Sequence, residues 1–337
     1  MMKFKTLLAT CALAAGVAFT GNAYAAKVTL KISHGATETF HMHKAWVKFK
    51  ELMEKGSNGE IEVQIFPNGQ MGHDREALEF TQDGTLDVTS PTVSVLSGWD
   101  KAFATSEIPY LFADRETAMA AFNGPYGEFL DQRAQKLGLK VIGWSENGFR
   151  HISNSKRPIT KPDDMKGLKI RTMQVDLHLE TFKHLGANPT PMAFGEVYSA
   201  LQQGVVDGQE NPLIRLITER FMEVQKYAST TSHVYSMHIL PMNLAKYESL
   251  SDEHKKLLAD SMKQALEYQM EIIKKEDAEV IDQLRKGGLT VDVLTPEQIE
   301  VFREKVKEIY PKLRDMVDPE AFDLLVKTIA DIEAKKK

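Results

Sequence analysis

Gly167-Leu-Lys-Ile-Arg171-Thr172 opens, and Pro191-Met-Ala-Phe194-Gly-Glu-Val-Tyr-Ser-Ala-Leu-Gln-Gln-Gly-Val-Val-Asp-Gly-Gln-Glu-Asn211-Pro212 closes, the stretch whose reading decides the fold. Leu168 to Thr172 reads as a short strand with Arg171 at its end, and Asn188 to Pro191 and Val205 to Gln209 read as two more. Helices at about 174–185 and 195–203 fall between them, with Leu177, Phe182, Val197 and Leu201 as core positions. Strand–helix–strand repetition makes an α/β unit, and such units hold ligands beyond the ends of their strands. Arg171, and the polar Gln-Glu-Asn turn expected after the last strand, stand at such places.

Outward toward the N-terminus the same alternation recurs. Val28 to Ser33 is a strand, and Met42, Ala45, Trp46, Phe49, Leu52 and Met53 then repeat at helical spacing. Glu60 to Phe66 is a second strand, His73 to Asp83 a helix that Gly84 can end, and Leu86 to Thr89 a third strand. This βαβαβ order puts the loops 34–39 and 90–95 on one edge of a sheet. Strands are also expected at Leu139–Trp144 and Phe149–Asn154. Toward the C-terminus, Ser251 to Lys286 is helical without a proline, roughly 50 Å long, and long enough to brace two lobes. Gly287-Gly288 stops it. Thr295-Pro296-Glu297-Gln298 is a capping box opening another helix, and a last helix covers about 319–334.

Lys3 and Lys5 precede an apolar run from Leu7 to Phe19, and Ala23-Tyr24-Ala25 has the small-x-small form of a leader cleavage site. The run is shorter than the roughly 20 residues that span a bilayer. Export with cleavage after Ala25 is therefore expected. Cys11, the chain's one cysteine, falls inside this leader, which excludes disulfides and cysteine catalysis in the remainder. Loss of the leader takes Lys plus Arg from 42 to 40 against 47 acids, a net charge of −7. An acidic surface without a long basic run excludes nucleic acid as a partner.

Several motifs in order, Phe66-Pro-Asn-Gly-Gln-Met-Gly72, Asn147-Gly-Phe-Arg-His-Ile-Ser-Asn154 and the 167–212 stretch, resemble the periplasmic solute-binding proteins of TRAP transporters, the DctP type. The resemblance covers nearly the whole chain after the leader. It implies an α/β, two-lobe Venus flytrap with mixed sheets, strands crossing near 148–150 and 234–240, and a long bracing helix. Lobe I would be 26–148 plus about 236–276, and lobe II 149–235 plus about 277–337. It further implies a periplasmic monomer that takes a small organic acid, needs no cofactor, and hands its ligand to integral-membrane permease subunits.

Arg171 at a strand end presents a planar fork that meets a carboxylate with two hydrogen bonds, although a lobe-internal salt bridge would serve the same position. The resemblance assigns it the clamp on the ligand carboxylate. It makes Arg150 a second cleft arginine, against a hinge ion pair with Glu146 or another acid. It gives Asn211 an orienting amide, against a turn-forming residue before Pro212, and Phe194 the wall over the ligand's apolar side, against core packing. First-lobe candidates are Thr92, Asp74, Thr37 and Glu38; Gln174, Asp176 and His178 follow Arg171.

His41 and His43, with His34 and His73, invite a metal site, but residues two apart on a helix diverge and no site is expected. No nucleophile elbow, zinc motif or phosphate loop is present, so no catalytic residue is assigned. A periplasmic hydrolase or lyase acting on a uronic acid, and a sensory subunit for a membrane kinase, stand as alternatives.

Overall fold

The computed structural model describes residues 28–336; the leader, its cleavage site and Cys11 lie outside the described residues. In chain order the first elements are β1 (Val28–Ser33), α1 (His41–Gly56), β2 (Ile61–Phe66), α2 (Asp74–Gln82), β3 (Val88–Thr89), α3 (Arg115–Phe122) and α4 (Pro125–Gln135). β4 (Leu139–Asn154) leads into β5 (Lys169–Thr172), α5 (Asp176–His184), β6 (Asn188–Pro191), α6 (Val197–Gln202), β7 (Gly208–Asn211) and α7 (Ile214–Thr218). The chain then runs through β8 (Tyr227–Asn243), α8 (Leu244–Ser249), α9 (Asp252–Lys286), β9 (Thr290–Asp292), α10 (Pro296–Lys307), α11 (Tyr310–Met316) and α12 (Pro319–Lys336).

One mixed sheet in the order β2-β1-β3-β8-β4-β7-β5-β6, with β9 on β8, joins two lobes. β1 pairs in parallel with β2 and β3 on one side, and β5 with β6 and β7 on the other. Between these triplets β4 and β8, of 16 and 17 residues, pair antiparallel and thread both lobes. The sequence predicts two strands here, ending at Trp144 and restarting at Phe149; the backbone is continuous. Ser145-Glu146-Asn147-Gly148 breaks the apolar alternation, yet these residues are buried, with Ser145 bonded to Gln269 of α9 and Glu146 paired with Arg115 of α3. The register shifts between Glu146 and Gly148 and again between Arg150 and Ile152, and Gly148 takes φ +116°. Such bulges bend a strand and re-aim its side chains. They sit where the strands pass from one lobe to the other.

Helix α9 braces both lobes as its length requires. Leu258, Met262 and Ala265 pack with Leu30, Trp46 and Phe49 of the β1 side, and Val280 and Leu284 pack with Leu201 and Phe221 of the β5 side. Phe302 of α10 and Leu313 of α11 join the core under β5. The C-terminal helix does not follow them. Ala321, Leu325 and Ile329 of α12 pack with Ala118 and Leu130 of α3 and α4, so residues 277–337 do not stay with one side of the sheet as expected. Strand β7 also corrects an expectation: Gln209, Glu210 and Asn211 are its last three residues, not a turn beyond it.

Candidate functional site

Between the two triplets of strands lies a cavity of about 370 Å³, reached by residues of both. On the β5 side three arginines line it, and each leaves one buried nitrogen without a protein partner among the described residues: Nη1 of Arg150, Nη1 of Arg171 and Nε of Arg215. A buried donor left unpaired is costly unless something fills the space beside it.

Arg171 is the third of the four residues of β5 and is 2% exposed. Its Nε and Nη2 donate to the Met192 carbonyl at 3.1 and 2.7 Å, and its guanidinium lies 5.8 Å from the Phe194 ring centre. No acid forms an ion pair with it among the described residues. Burial pulls it down to about 10, partly offset by the Glu210 charge, so it stays cationic at neutral pH.

Arg150 follows the bulge in β4 and is 1% exposed. Its Nε and Nη2 grip both carboxylate oxygens of Glu210 at 2.5 and 2.7 Å, and Nη2 also donates to the Glu210 carbonyl at 2.7 Å. The alternative of an ion pair with an acid is thus met, by Glu210 and not by Glu146, whose carboxylate Arg115 takes. Burial alone would raise the Glu210 carboxyl, but the Arg150 charge and the bonds from His178, His233 and Arg150 hold it well below the usual range. His178 lies beneath the cavity. Burial would lower it, but the hydrogen bond to Glu107, at 3.0 Å, and the Glu210 carboxylate, 3.7 Å from its Nδ1, lift it to about 9.

Arg215 is a functional candidate that the sequence reading missed. It sits on α7, four residues past Asn211, with Nη1 on Glu219 at 2.9 Å and Nη2 on Asn147 at 3.4 Å. Its guanidinium stacks 3.5 Å from the ring centre of Phe40, across the cleft, and 4.9 Å from that of Phe194. The available signal was a lone cation inside the apolar run Leu213-Ile-Arg-Leu-Ile217.

Asn211 lines the cavity with its amide nitrogen on Gln209 Oε1 at 2.5 Å. Phe194, Gln174, Thr92 and Asp74 also line it. Asp74 opens α2 and accepts the Thr92 amide; desolvation raises its carboxyl against the pull of Arg215 and Arg171. Asp176, Thr37 and Glu38 are not brought in. Asp176 is exposed in the first turn of α5, and Glu38 is exposed in its loop. Thr37 turns away to the end of α7, its amide toward Glu219 at 3.5 Å and its hydroxyl on the Thr218 carbonyl at 3.1 Å. The preceding His34, Gly35 and Ala36 face the cavity in its place.

His34 and His238 are further lining residues that the sequence reading missed, and the Nδ1 of each is buried without a partner. Burial, with the charges of His43 and Arg215, holds His34 down to about 3; burial, with Arg215 and Arg150, holds His238 well below its usual value. Both are neutral near pH 7. Of the histidines weighed for a metal, His43 meets His34 at 3.1 Å and His41 meets Gln269 at 2.8 Å. Among the described residues no group of three or more His, Cys, Asp or Glu side chains is placed to hold a metal ion, and no helix is long and apolar enough to cross a membrane. At the rim the His73 ring sits against Gly195, where an added Cβ would come within 2.0 Å of it.

A two-lobe sheet crossed by long strands, with an arginine-lined cavity between the lobes, defines a ligand-capturing receptor. The profile of the bacterial extracellular solute-binding proteins of family 7, DctP, matches residues 32–315, and the chain belongs to that family, the periplasmic solute-binding proteins of TRAP transporters. A solute-binding protein of Verminephrobacter eiseniae is 38% identical over 267 residues, covering 79% of this chain and 80% of that protein. The structure of a sugar acid binding protein from Advenella mimigardefordensis in complex with galactonate superposes with a TM-score of 0.88 at 29% identity, covering 90% of this chain and 98% of that one. A TRAP periplasmic solute-binding protein of Polaromonas sp. JS666 bound to D-erythronate has a TM-score of 0.84 at 35% identity, covering 90% and 98%.

Proposed function

We propose that this protein captures a small organic acid by its carboxylate and delivers it, unchanged, to the membrane permease of a TRAP transporter. The observation that carries the reading is the convergence of three unpaired guanidinium nitrogens in one cavity. Arg171 is the anchor, since it is a buried cation with no acid of its own, and an anion entering there gains charge-assisted bonds in a water-poor space. Arg150, Arg215 and Asn211 supply further donors, and Phe194 walls the apolar side. Galactonate and D-erythronate, bound by the two structural neighbours, are both carboxylates, which supports the class. In this reading the leader is removed after Ala25, the lobes close over the ligand as a hinge, and the Thr37–Thr218 contact belongs to the closed edge.

The test is thermal unfolding of the mature chain against a panel of organic acids, followed by recovery of the bound compound. Saturable stabilisation and chemically unaltered ligand are expected. A product appearing in the recovered fraction would favour the hydrolase or lyase alternative, and no stabilisation by any carboxylate would overturn the receptor reading.

A further inference from the structure

We propose that Asp74 sets the ligand class of the cavity, selecting a monocarboxylate that carries hydroxyl groups and rejecting a dicarboxylate. The inference rests on the organic-acid reading above and concerns the end of the ligand that the arginines do not hold. Asp74 belongs to the β1 side, lines the cavity, and faces Arg171 and Arg215 without forming an ion pair with either among the described residues. Its carboxylate packs against Gly35, where an added Cβ would lie 3.4 Å from Asp74 Oδ1. The cavity is further lined by neutral groups, the Thr92 hydroxyl, on Met173 sulfur at 3.4 Å, the Ser90 hydroxyl, accepting from Trp46 at 3.2 Å, and the unpartnered Nδ1 atoms of His34 and His238, and by a second acid, Glu76.

In this proposal the Asp74 carboxyl is held ionised by the Arg215 and Arg171 charges that face it, and an ionised carboxylate only accepts hydrogen bonds. A ligand hydroxyl can donate to Asp74, and hydroxyls also suit the neutral imidazoles of the lining. A second ligand carboxylate has no proton to give and would add a like charge in a desolvated wall. Arg75 is the one cation lining this side, and it lies on the Trp99 ring, 5.0 Å from its centre. Three arginines on one face and acids on the other thus fit a guest that is anionic at one end and hydroxylated along the rest.

The discriminating ligands are matched pairs that differ only in oxidation of the terminal carbon: D-erythronate against meso-tartrate, and D-galactonate against galactarate. Calorimetric titration of the mature protein should show the monoacid of at least one pair binding tenfold or more tighter than its diacid. Asp74→Asn, or Asp74→Ser if the first unfolds at lower temperature, should shrink that ratio at least tenfold. Equal or tighter diacid binding by the unaltered protein overturns the proposal. So does an unchanged ratio in both Asp74 variants, or tight diacid binding that Arg75→Ala removes. Failure of all four ligands to bind, like diacid preference, overturns it alone; the organic-acid reading falls only when no carboxylate of the thermal panel stabilises the protein.

Discussion

On the β5 face of the cavity three guanidiniums are each tied back by at least two protein bonds, Arg150 to Glu210, Arg171 to Met192, and Arg215 to Glu219 and Asn147. On the β1 face the carboxylates of Asp74 and Glu76 share the lining with imidazoles and hydroxyls, and among the described residues its one guanidinium, Arg75, lies on the Trp99 ring and forms no ion pair with an acid. The difference is one of preorganisation. Cations already held in place lose little freedom when an anion arrives, so the first face can supply affinity. The second face offers groups whose value depends on what the guest presents, so it can supply discrimination. The division also separates two duties among the arginines. Arg150 is one half of a buried ion pair with its Nη1 to spare, whereas no acid forms an ion pair with Arg171 among the described residues.

The sharpest way to break this division is to remove the acid behind the first face. Glu210→Gln leaves Arg150 buried with its charge unmatched, and loss of one partner of a buried pair costs about 3–5 kcal/mol. Urea unfolding without ligand should show a loss of that order. Arg150→Ala should do the same, because it strands Glu210 in turn. Unchanged stability in both would mean that Arg150 serves the ligand alone.

Arg171→Ala should behave in the opposite sense, leaving unfolding without ligand nearly unaltered, since no acid is orphaned. Binding should fall by about 2–5 kcal/mol, the range for truncating one member of a buried charged contact. Arg171→Lys should recover only part of that, since a lysine lacks the fork that donates twice to Met192 while keeping a third N–H for the guest. On the other face Thr92→Ala, which removes one neutral hydroxyl, should cost about 1 kcal/mol. Calorimetric titration of one ligand with the three variants ranks the two faces. An equal loss for Arg171→Ala and Thr92→Ala would erase the distinction.

The same contrast explains what could be read before the structure. Arg171 and Asn211 were legible because strand ends are marked by local alternation, and Met42 to Met53 and the long α9 because helical periodicity is local too. Arg215 was hidden because its partners, Phe40, Asn147 and Glu219, are drawn from three separate elements. His34 and His238 come from distant parts of the chain, β1's exit and the middle of β8, and each looks alone like an ordinary core histidine. The centre of β4 was hidden for another reason: its polar residues are buried with side-chain partners on α9 and α3, and such partners leave no periodic signature on one strand. Thr37 and Asp176 were placed on the right edge but point elsewhere, which loop position cannot foretell.

Proton linkage sharpens the comparison further, because the network behind the first face and the histidines of the second titrate oppositely. His178, lifted to about 9, holds a proton in the fold that the unfolded chain releases near 6.5. Its contribution is complete below that pH and is lost as pH rises through 9, about 3 kcal/mol at most. His34, held to about 3, is neutral in the fold, so stability is lost as pH falls below 6.5 toward 3. The melting temperature without ligand should therefore peak near neutrality, and His178→Gln should flatten the alkaline limb alone. An alkaline limb of unchanged slope would contradict the Glu107–His178–Glu210 account.

The smallest expected effect lies where the two faces meet. A methyl group at Gly195 would come within 2.0 Å of the His73 ring, which opens the α2 turn on the opposite side. The ring can rotate aside, so Gly195→Ala should strain only the closed arrangement and weaken binding by about threefold, or about 0.7 kcal/mol. A contact made only on closure changes the closed population and not the open one, so the melting temperature without ligand should stay put. Adding His73→Ala to Gly195→Ala removes the obstacle and should restore affinity. A double variant as weak as the single one would show that the penalty arises within the Phe194–Glu196 turn and not between the lobes.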